Sequence, residues 1–220
     1  QLHVEIWCGG ENLARDAGTY LYNAQPPWQN ALDTTRVHNT ITVDGQDQMQ
    51  RVSRFLWLDQ AQAVWLVSDK NDNITATHNG YRKLGILHKR SLEFRPPQTF
   101  LVTDSLSPTS TDSREHVYRL QWLLPDWEWT LDGQQLSLSR DPIKVSIQIT
   151  AINQSTAKNL LPADVSLIRG GQTLAGPSVD EIMGWDSDTY GEKHPALSLS
   201  LRYQATGAIT LTTEWNIIRA

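Results

Sequence analysis

The sequence predicts an all-β protein, a large antiparallel β-sandwich of two packed sheets with few short helices. Two observations carry this prediction. Polarity alternates with a period of two in several segments, which is the pattern of strands with one buried face. Long segments with apolar residues at helical spacing are missing, so helices should be few. At 220 residues the chain fits one sandwich domain, and we expect residues 1–220 to form it, as a fragment of a larger chain.

The predicted strands follow one another at short intervals along the chain. The segments with alternating polarity are 2–7, 87–94, 145–149, 196–203 and 208–215. Further apolar and β-branched runs, bounded by turn-forming residues, lie at 55–67, 99–102 and 117–124. Asp-Gly in "LDGQQ" (131–135) predicts a hairpin turn. Loops are predicted at 24–35, 105–113 and 153–180, and the best helix candidate is the weak pattern "DQMQRVSRF" (47–55).

Composition argues against two classes of partner, nucleic acids and membranes. A net charge of −5 and a pI near 5.6 argue against nucleic acid, which requires a basic face. No apolar run approaches the roughly 20 residues that a membrane-spanning helix needs, so we expect no membrane partner. The nine tryptophans could fill the core between the sheets or stack on sugar rings, and core filling is the better interpretation for most of them.

The first candidate site pairs Asp16 with His38. Asp16 in "ARDAGTYLYN" stands where the chain leaves an apolar run, and His38 in "RVHNTITVDGQDQM" directly precedes the strand-like run 40–43 and the turn pair Asp44-Gly45. Carboxylate and imidazole are both zinc ligands, but a zinc site needs at least three ligands. From these residues alone, a capping Asp and a hydrogen-bonded His are the simpler interpretation.

The second candidate is "THNGYRKLGILHKR", residues 77–90. It offers His78, Tyr81, Arg82, His88 and Arg90. If residues 87–94 form a strand, His88 and Arg90 share one of its faces, where they could bind a carboxylate or sulfate. The simpler alternative is a solvated face with cross-strand salt bridges.

The third candidate is "GWDSDTYGEKHP", residues 184–195. Trp185 and Tyr190 in this glycine-flanked loop could form a platform for a sugar ring. They could equally plug the end of the sandwich. The sequence contains no nucleophile elbow, phosphate loop or dinucleotide fingerprint.

A resemblance extends over nearly the whole chain. The segments "ENLARDAGTYLYN", "RVHNTITVDGQDQM", "HNGYRKLGILHKRSLEF" and "GWDSDTYGEKHPALSLSL" together resemble the C-terminal β-sandwich domain of the heparinase II/III-like family of polysaccharide lyases, which includes members that act on oligoalginate. The block Asp-x-Gly-Thr-Tyr followed by His-Asn-Thr and Val-Asp-Gly is its most specific part.

The resemblance implies a lyase that cleaves uronic-acid-containing glycans, of the heparan sulfate (glycosaminoglycan) or alginate type, by β-elimination. It implies an upstream α/α toroid domain that faces the sandwich across the substrate cleft and supplies the catalytic tyrosine and neutralising groups. We therefore expect no catalytic residue in this fragment and no activity of the fragment alone. The acidic polysaccharide would contact Asn39, Tyr81, Arg82, His88, Trp185 and Tyr190, and the family's bacterial, extracytoplasmic role implies a periplasmic or secreted protein.

The resemblance also implies a structural zinc held by Asp16 and His38, with Asn39 orienting its surroundings. The remaining zinc ligand is expected upstream of Gln1, which would leave the site incomplete here. His3 could replace that ligand only if its side chain faces the same strand end. The alternatives to the lyase are a noncatalytic carbohydrate-binding module, which would bind sugar in isolation, and a purely structural sandwich, which would not collect His, Arg and aromatic side chains on one rim.

Overall fold

The computed structural model describes residues 1–66, 73–110, 114–178 and 180–219. In this part of the chain, strands dominate. In chain order they are β1 (Ile6–Cys8), β2 (Glu11–Ala14), β3 (Ile41–Val43), β4 (Gln50–Arg51), β5 (Trp57–Leu58), β6 (Ala63–Leu66), β7 (Asn73–His78), β8 (Ile86–Arg95), β9 (Thr99–Pro108) and β10 (Glu115–Leu124). They continue with β11 (Glu128–Asp132), β12 (Gln135–Arg140), β13 (Ile143–Asn153), β14 (Lys158–Leu160), β15 (Asp164–Arg169), β16 (Gln172–Ala175), β17 (Trp185–Asp186), β18 (His194–Pro195), β19 (Leu197–Thr206) and β20 (Ile209–Arg219).

Helical structure among the described residues is limited to three single 3-10 turns, at Ala31–Asp33, Thr35–Val37 and Arg82–Leu84. None of the described helices has the length and apolarity to cross a membrane.

Two large antiparallel sheets form the sandwich. One has five strands in the order β16-β15-β19-β10-β3, and the other has nine strands along the path β11-β12-β13-β20-β9-β8-β7-β6, with β14 paired to β13. Three small two-strand ladders, β1-β2, β4-β5 and β17-β18, lie outside these sheets. The all-β prediction is therefore confirmed.

The core lies between the two sheets. Trp122 of β10 and Trp215 of β20 are fully buried and meet edge to face, with ring centroids 5.0 Å apart. One ring comes from each large sheet, so this pair ties the two layers together with the largest apolar side chains available. Core filling is thus the correct interpretation for these two tryptophans, whereas Trp7 and Trp65 are exposed.

Most predicted strands are present. The segments 87–94 and 145–149 lie inside longer strands, the segments 196–203 and 208–215 begin one residue before β19 and β20, and the hairpin at 131–135 joins β11 to β12. Asp44 and Gly45 form the predicted turn, and both have positive φ, which Asp tolerates and Gly favours. Gln50 and Arg51 form strand β4, so the weak helix pattern at 47–55 is wrong.

The predicted loop at 153–180 is also wrong, because β14, β15 and β16 lie within it. β15 pairs with β19 along its whole length and adds a strand to the five-stranded sheet. Its residues Ser166, Leu167 and Ile168 are buried, so this short strand is covered on both faces and shows no alternation of polarity. The Pro, Gly and polar residues that flank it gave the segment the composition of a loop.

Candidate metal centre and substrate cleft

Three side chains from separate segments converge beside the short strand β3. His3 precedes β1, Asp16 follows β2, and His38 ends the 3-10 turn that leads toward β3. Each lies just outside a regular element, where a side chain can turn away from the sheet. Among the described residues, they are the group of histidine, cysteine and acidic side chains whose geometry suits a metal ion.

Two separations within this group match those in a zinc site. Nε2 of His3 lies 3.3 Å, and Nδ1 of His38 lies 3.4 Å, from Oδ2 of Asp16. One ligand atom from each residue lies within 4.8 Å of the others. Two ligands that bind one zinc ion at about 2.0–2.1 Å in tetrahedral geometry stand about 3.3 Å apart.

The two imidazole nitrogens that face Asp16 have no hydrogen-bond partner. Nε2 of His3 and Nδ1 of His38 are both buried, and neither makes a hydrogen bond of good geometry. Unpaired polar atoms in a protein interior are costly. Oδ1 of Asp16 accepts a hydrogen bond of 2.6 Å from the backbone N–H of Gly18, which leaves Oδ2 facing both rings. The residues present therefore fit a metal ion, with His3 as the third ligand.

One contact of His3 would change on metal binding. Its Nδ1 accepts a 3.1 Å hydrogen bond from the backbone N–H of Asn39. A neutral ring that accepts at Nδ1 carries its proton on Nε2. A metal at Nε2 would therefore require the proton to move to Nδ1 and the ring to give up its contact with Asn39.

The surroundings favour the charge states that bind metal. Burial lowers the pKa of His3 to about 4, although the Asp16 carboxylate acts in the opposite direction. The His38 imidazole beside Asp16 holds the pKa of that carboxyl well below its usual range. At neutral pH, His3 is neutral and Asp16 is ionised, as metal coordination requires.

Asn39 connects the three segments that carry these side chains. It is fully buried, and its Nδ2 donates to the carbonyls of Val4 and Arg15, both at 2.9 Å. Its Oδ1 accepts from the N–H of Leu123 at 2.6 Å. The Nδ2 and Oδ1 atoms of Asn39 are therefore both used in hydrogen bonds within the protein. This orienting role agrees with the resemblance, whereas the expectation that Asn39 contacts substrate is corrected, because its amide is already engaged.

A cleft of about 530 Å³ opens next to Asp16. Its lining residues combine aromatic rings with charged and hydroxyl groups: Trp7, Arg15, Asp16, Tyr22, Asp188 and Tyr190 among them. Tyr22 and Tyr190 are exposed, and their rings are tilted against each other with centroids 5.2 Å apart. Tyr190 thus lies in an open cleft beside the metal group, where the sequence places a substrate contact.

Trp185 lies elsewhere, in a box of three aromatic rings formed with Tyr20 and Trp28. The ammonium of Lys193 occupies this three-ring box, 3.2 Å from the ring centroid of Trp185 and 3.9 Å from that of Trp28. The indole N–H of Trp185 donates to the carbonyl of Glu181. Because Lys193 covers the ring, the expectation that Trp185 offers a sugar platform is corrected.

His88 and Arg90 share one face of β8, as the alternation predicts, but that face is buried. Both bind the carboxylate of Asp104 on β9: Nε2 of His88 lies 2.6 Å from Oδ1, and Arg90 makes a two-pronged contact. Their carboxylate partner is thus internal. The expectation that His88 contacts substrate is corrected by its complete burial.

Tyr81 and Arg82 also have internal or local partners. The Tyr81 ring is buried, and its hydroxyl donates to the carbonyl of Ile41 at 2.6 Å. This anchors the 3-10 turn at Arg82–Leu84 to β3 and removes Tyr81 from the list of substrate contacts. Arg82 is exposed and pairs with Asp59, and it does not line the cleft beside Asp16.

Comparison with known proteins assigns the chain to a family. The family described as "Heparinase II/III-like, C-terminal" matches residues 1–216. The chain belongs to this family. Among curated proteins, a heparin-sulfate lyase from Pedobacter heparinus is 30% identical over 103 residues, and one from Bacteroides stercoris is 27% identical over 121 residues. The matched segments span 46% and 53% of this chain but only 14% and 16% of those lyases.

Solved structures of the heparinase II/III-like family share the fold. The crystal structure of a heparan sulfate lyase from Pedobacter heparinus superposes with a TM-score of 0.70 at 19% identity and covers 99% of this chain. A heparinase III superposes with a TM-score of 0.69 at 18% identity and covers 98%. This chain accounts for only 30% of either structure's length.

Sequence reasoning gave too little weight to His3 and missed Asn39's bonds and the aromatic partner Tyr22. In this heparinase II/III-like domain, His3 does face Asp16, so the expectation of an incomplete pair is replaced by a group of three potential ligands. The alternating segment at 2–7 gives no signal for His3, because the strand begins only at Ile6. Only the fold brings residue 3 next to residue 38.

Proposed function

We propose that this chain is the β-sandwich part of a polysaccharide lyase that cleaves heparan sulfate-like glycans by β-elimination. The observation that carries the proposal is the group of His3, Asp16 and His38 beside an aromatic-lined cleft. Membership of the heparinase II/III-like family and similarity to two heparin-sulfate lyases support it. Those relatives favour heparan sulfate over alginate as the substrate.

Elimination from a uronic acid places three chemical demands on the protein. The carboxylate must be neutralised so that the C5 proton becomes acidic, a base must take that proton, and an acid must protonate the leaving oxygen at C4. The cleft described here suits binding more than these steps. Its exposed tyrosines can stack on sugar rings, but Glu5, Asp16 and Asp188 add negative charge next to Arg15.

The charges in the cleft favour a model in which this chain positions the substrate and another domain supplies the catalytic groups. Arg15 is already paired with Asp186 and lies 3.9 Å from Asp188, so it has little capacity to neutralise a substrate carboxylate. We place the neutralising group, the base and the acid on an upstream α/α toroid domain that faces the sandwich. This chain then positions the acidic polysaccharide, and in isolation it performs no elimination.

We further place a structural zinc ion at His3, Asp16 and His38. When bound, zinc would cross-link the three chain segments that carry these side chains at the edge of the cleft. The donor set and the two unpaired imidazole nitrogens support this choice. We expect the full protein to act in the periplasm or outside the cell, where extracellular polysaccharide is available.

The test is a panel of uronic-acid polysaccharides offered to the full-length protein and to the isolated 220-residue chain. The ultraviolet absorbance of the unsaturated uronate product reports elimination. We expect product from heparan sulfate with the full-length protein only. Product from alginate but not heparan sulfate would overturn the substrate assignment. Product formation by the isolated chain would overturn the assignment of the catalytic groups to the toroid domain.

A carbohydrate-binding module is the second candidate, and the exposed pair Tyr22 and Tyr190 favours it. The two functions differ in what the isolated chain does. A binding module holds heparan sulfate by itself, whereas half of a lyase cleft binds weakly without its facing wall. Calorimetric titration of the isolated chain with heparan sulfate oligosaccharides separates them, with Tyr190→Ala as the variant that removes one ring.

A further inference from the structure

A buried arginine connects the two backbone segments that carry the histidines. Nη1 of Arg90 donates to the carbonyl of Leu2 at 2.6 Å and to the carbonyl of Asn39 at 2.5 Å. Leu2 immediately precedes His3, and Asn39 immediately follows His38. One guanidinium nitrogen therefore sets the distance between the two segments from which both imidazoles project.

The rest of the guanidinium is fixed by Asp104. Nε donates to Oδ1 at 2.7 Å and Nη2 donates to Oδ2 at 2.9 Å, a two-pronged geometry that fixes the plane of the group. Arg90 also lies over the ring of the buried Trp122, 5.6 Å from its centroid. Four of the five N–H donors of Arg90 are thus directed to partners, and both arms are held at once.

A chain of hydrogen bonds holds Asp104 in turn, and its direction is determined. The N–H of Gly80 donates to Nδ1 of His78 at 3.0 Å, so the proton of His78 is on Nε2. That proton is donated to Nδ1 of His88 at 2.9 Å, which puts the His88 proton on Nε2, 2.6 Å from Oδ1 of Asp104. Both histidines are therefore neutral, and burial lowers the pKa of each. A Cβ on Gly80 would lie 2.9 Å from Nδ1 of His78, so this close contact needs glycine.

The arrangement exceeds what a core ion pair requires. A buried Arg–Asp pair by itself adds little stability, since removing two charges from water offsets their attraction. Here Nη1 makes no contact with Asp104 and is directed to two carbonyls next to proposed ligands. Asn39 completes the same link, since its amide binds the carbonyls of Val4 and Arg15, which flank His3 and Asp16.

We propose that Arg90, held by Asp104, His88 and His78, is a positioning residue that sets the spacing of His3 and His38 for metal binding. This inference rests on the proposed metal site. It adds that the geometry of the site depends on a charged group that contacts no ligand side chain directly. Lysine at this position would keep the charge but could not reach Asp104 and both carbonyls together, because it lacks the planar fork.

The test compares Arg90→Lys with Arg169→Lys in the full-length protein. Arg169 makes the same two-pronged contact, with Asp126, at 2.7 and 2.6 Å, but it is exposed. Zinc affinity is measured by competition with a chelator, and hydrogen exchange is followed in the metal-free protein at the amide of Asn39, which contacts His3 there. We expect Arg90→Lys to weaken zinc binding by about 10-fold to 100-fold, the range for partners that orient metal ligands, and to speed exchange at Asn39. Arg169→Lys should change neither.

A second variant covers the case in which Arg90→Lys does not fold. His78→Gln leaves Arg90 and Asp104 in place and loosens only the far end of the chain of hydrogen bonds, so it should weaken zinc binding less than Arg90→Lys in the same direction. Wild-type affinity and wild-type exchange in both variants, or in His78→Gln alone if Arg90→Lys does not fold, would overturn the proposal, as would equal losses in Arg90→Lys and Arg169→Lys.

Failure of the metal site itself gives a different result. If the wild-type protein binds no zinc, the proposed zinc centre fails, and the role of Arg90 is then judged by exchange at Asn39. Faster exchange in Arg90→Lys alone would retain Arg90 as the residue that sets the spacing of the two segments. Unchanged exchange would reject that as well.

Discussion

The buried histidine pair makes the stability of the protein sensitive to acid. Burial lowers the pKa of His78 to about 2, and that of His88 is lowered as well. In an unfolded chain, an imidazole has a pKa of about 6.5. Below that pH the unfolded state binds a proton that the folded state does not bind, so the stability present above about pH 6.5 is lost as the pH falls.

The size of the effect follows from the shift at His78. Each pH unit below the unfolded pKa costs about 1.4 kcal/mol per histidine, so His78 alone lowers the free energy of unfolding by about 2 kcal/mol between about pH 7 and about pH 5. Solvent screening does not reduce this value, because His78 is only 1% exposed. Asp33 acts in the opposite direction: burial raises the pKa of its carboxyl to about 6, so the folded state gains stability as the pH falls through that value.

The variant His78→Gln separates the histidine from these other groups. Its amide can still donate toward His88, but it does not titrate. Urea denaturation followed by tryptophan fluorescence at the two pH values should show that the variant loses about 2 kcal/mol less than the wild type on acidification. His194→Gln, at an exposed histidine, controls for the substitution itself. Equal losses in the wild type and His78→Gln would refute the argument.

Three further changes test packing and the site. Trp122→Ala empties the centre of the core and should lower the free energy of unfolding by about 3–5 kcal/mol, whereas Trp65→Ala, at a ring that is 73% exposed, should change it by less than about 0.5 kcal/mol; similar losses in urea would contradict the packing. Gly18→Ala forces a φ of +66° on alanine and brings its Cβ within 2.0 Å of the carbonyl oxygen of Ser187. Both the free energy of unfolding and the zinc content, measured by elemental analysis, should therefore fall. Full zinc content would argue against the site. Lys193→Met removes the ammonium from the three-ring box and should cost about 0.5–2 kcal/mol in the same denaturation assay; an unchanged midpoint would show that the contact adds no stability.

The sequence predicts the strands well because alternation is a local property. In β8 the period of two is correct, but the side that faces inward carries His88 and Arg90, while Leu87 is 39% exposed. Hydropathy alone would place the leucine inside. The structure reverses that choice because Asp104 on the paired strand β9 provides a buried partner for both polar side chains, and a cross-strand partner cannot be read from one strand.

The candidate site was predictable only in part. Asp16 and His38 stand out because they lie at the ends of predicted elements, and resemblance to the family assigns them a shared role. His3 gives no such signal, since its approach to Asp16 and His38 depends on the path of the segment before β1, which is set by long-range packing. The contacts of Asn39 and Arg90 with main-chain carbonyls depend on the same long-range packing, so neither follows from residue type or spacing.

We propose that this sandwich forms one wall of a heparan sulfate lyase whose cleft edge is organised by His3, Asp16 and His38. The most direct measurement is elimination by the full-length protein on heparan sulfate, wild type against His38→Ala, with His194→Ala as the matched control. We expect unsaturated product from the wild type and the control, and no product from His38→Ala. No product from the wild type on any uronic-acid polysaccharide, together with tight binding of heparan sulfate by the isolated chain, would contradict this proposal.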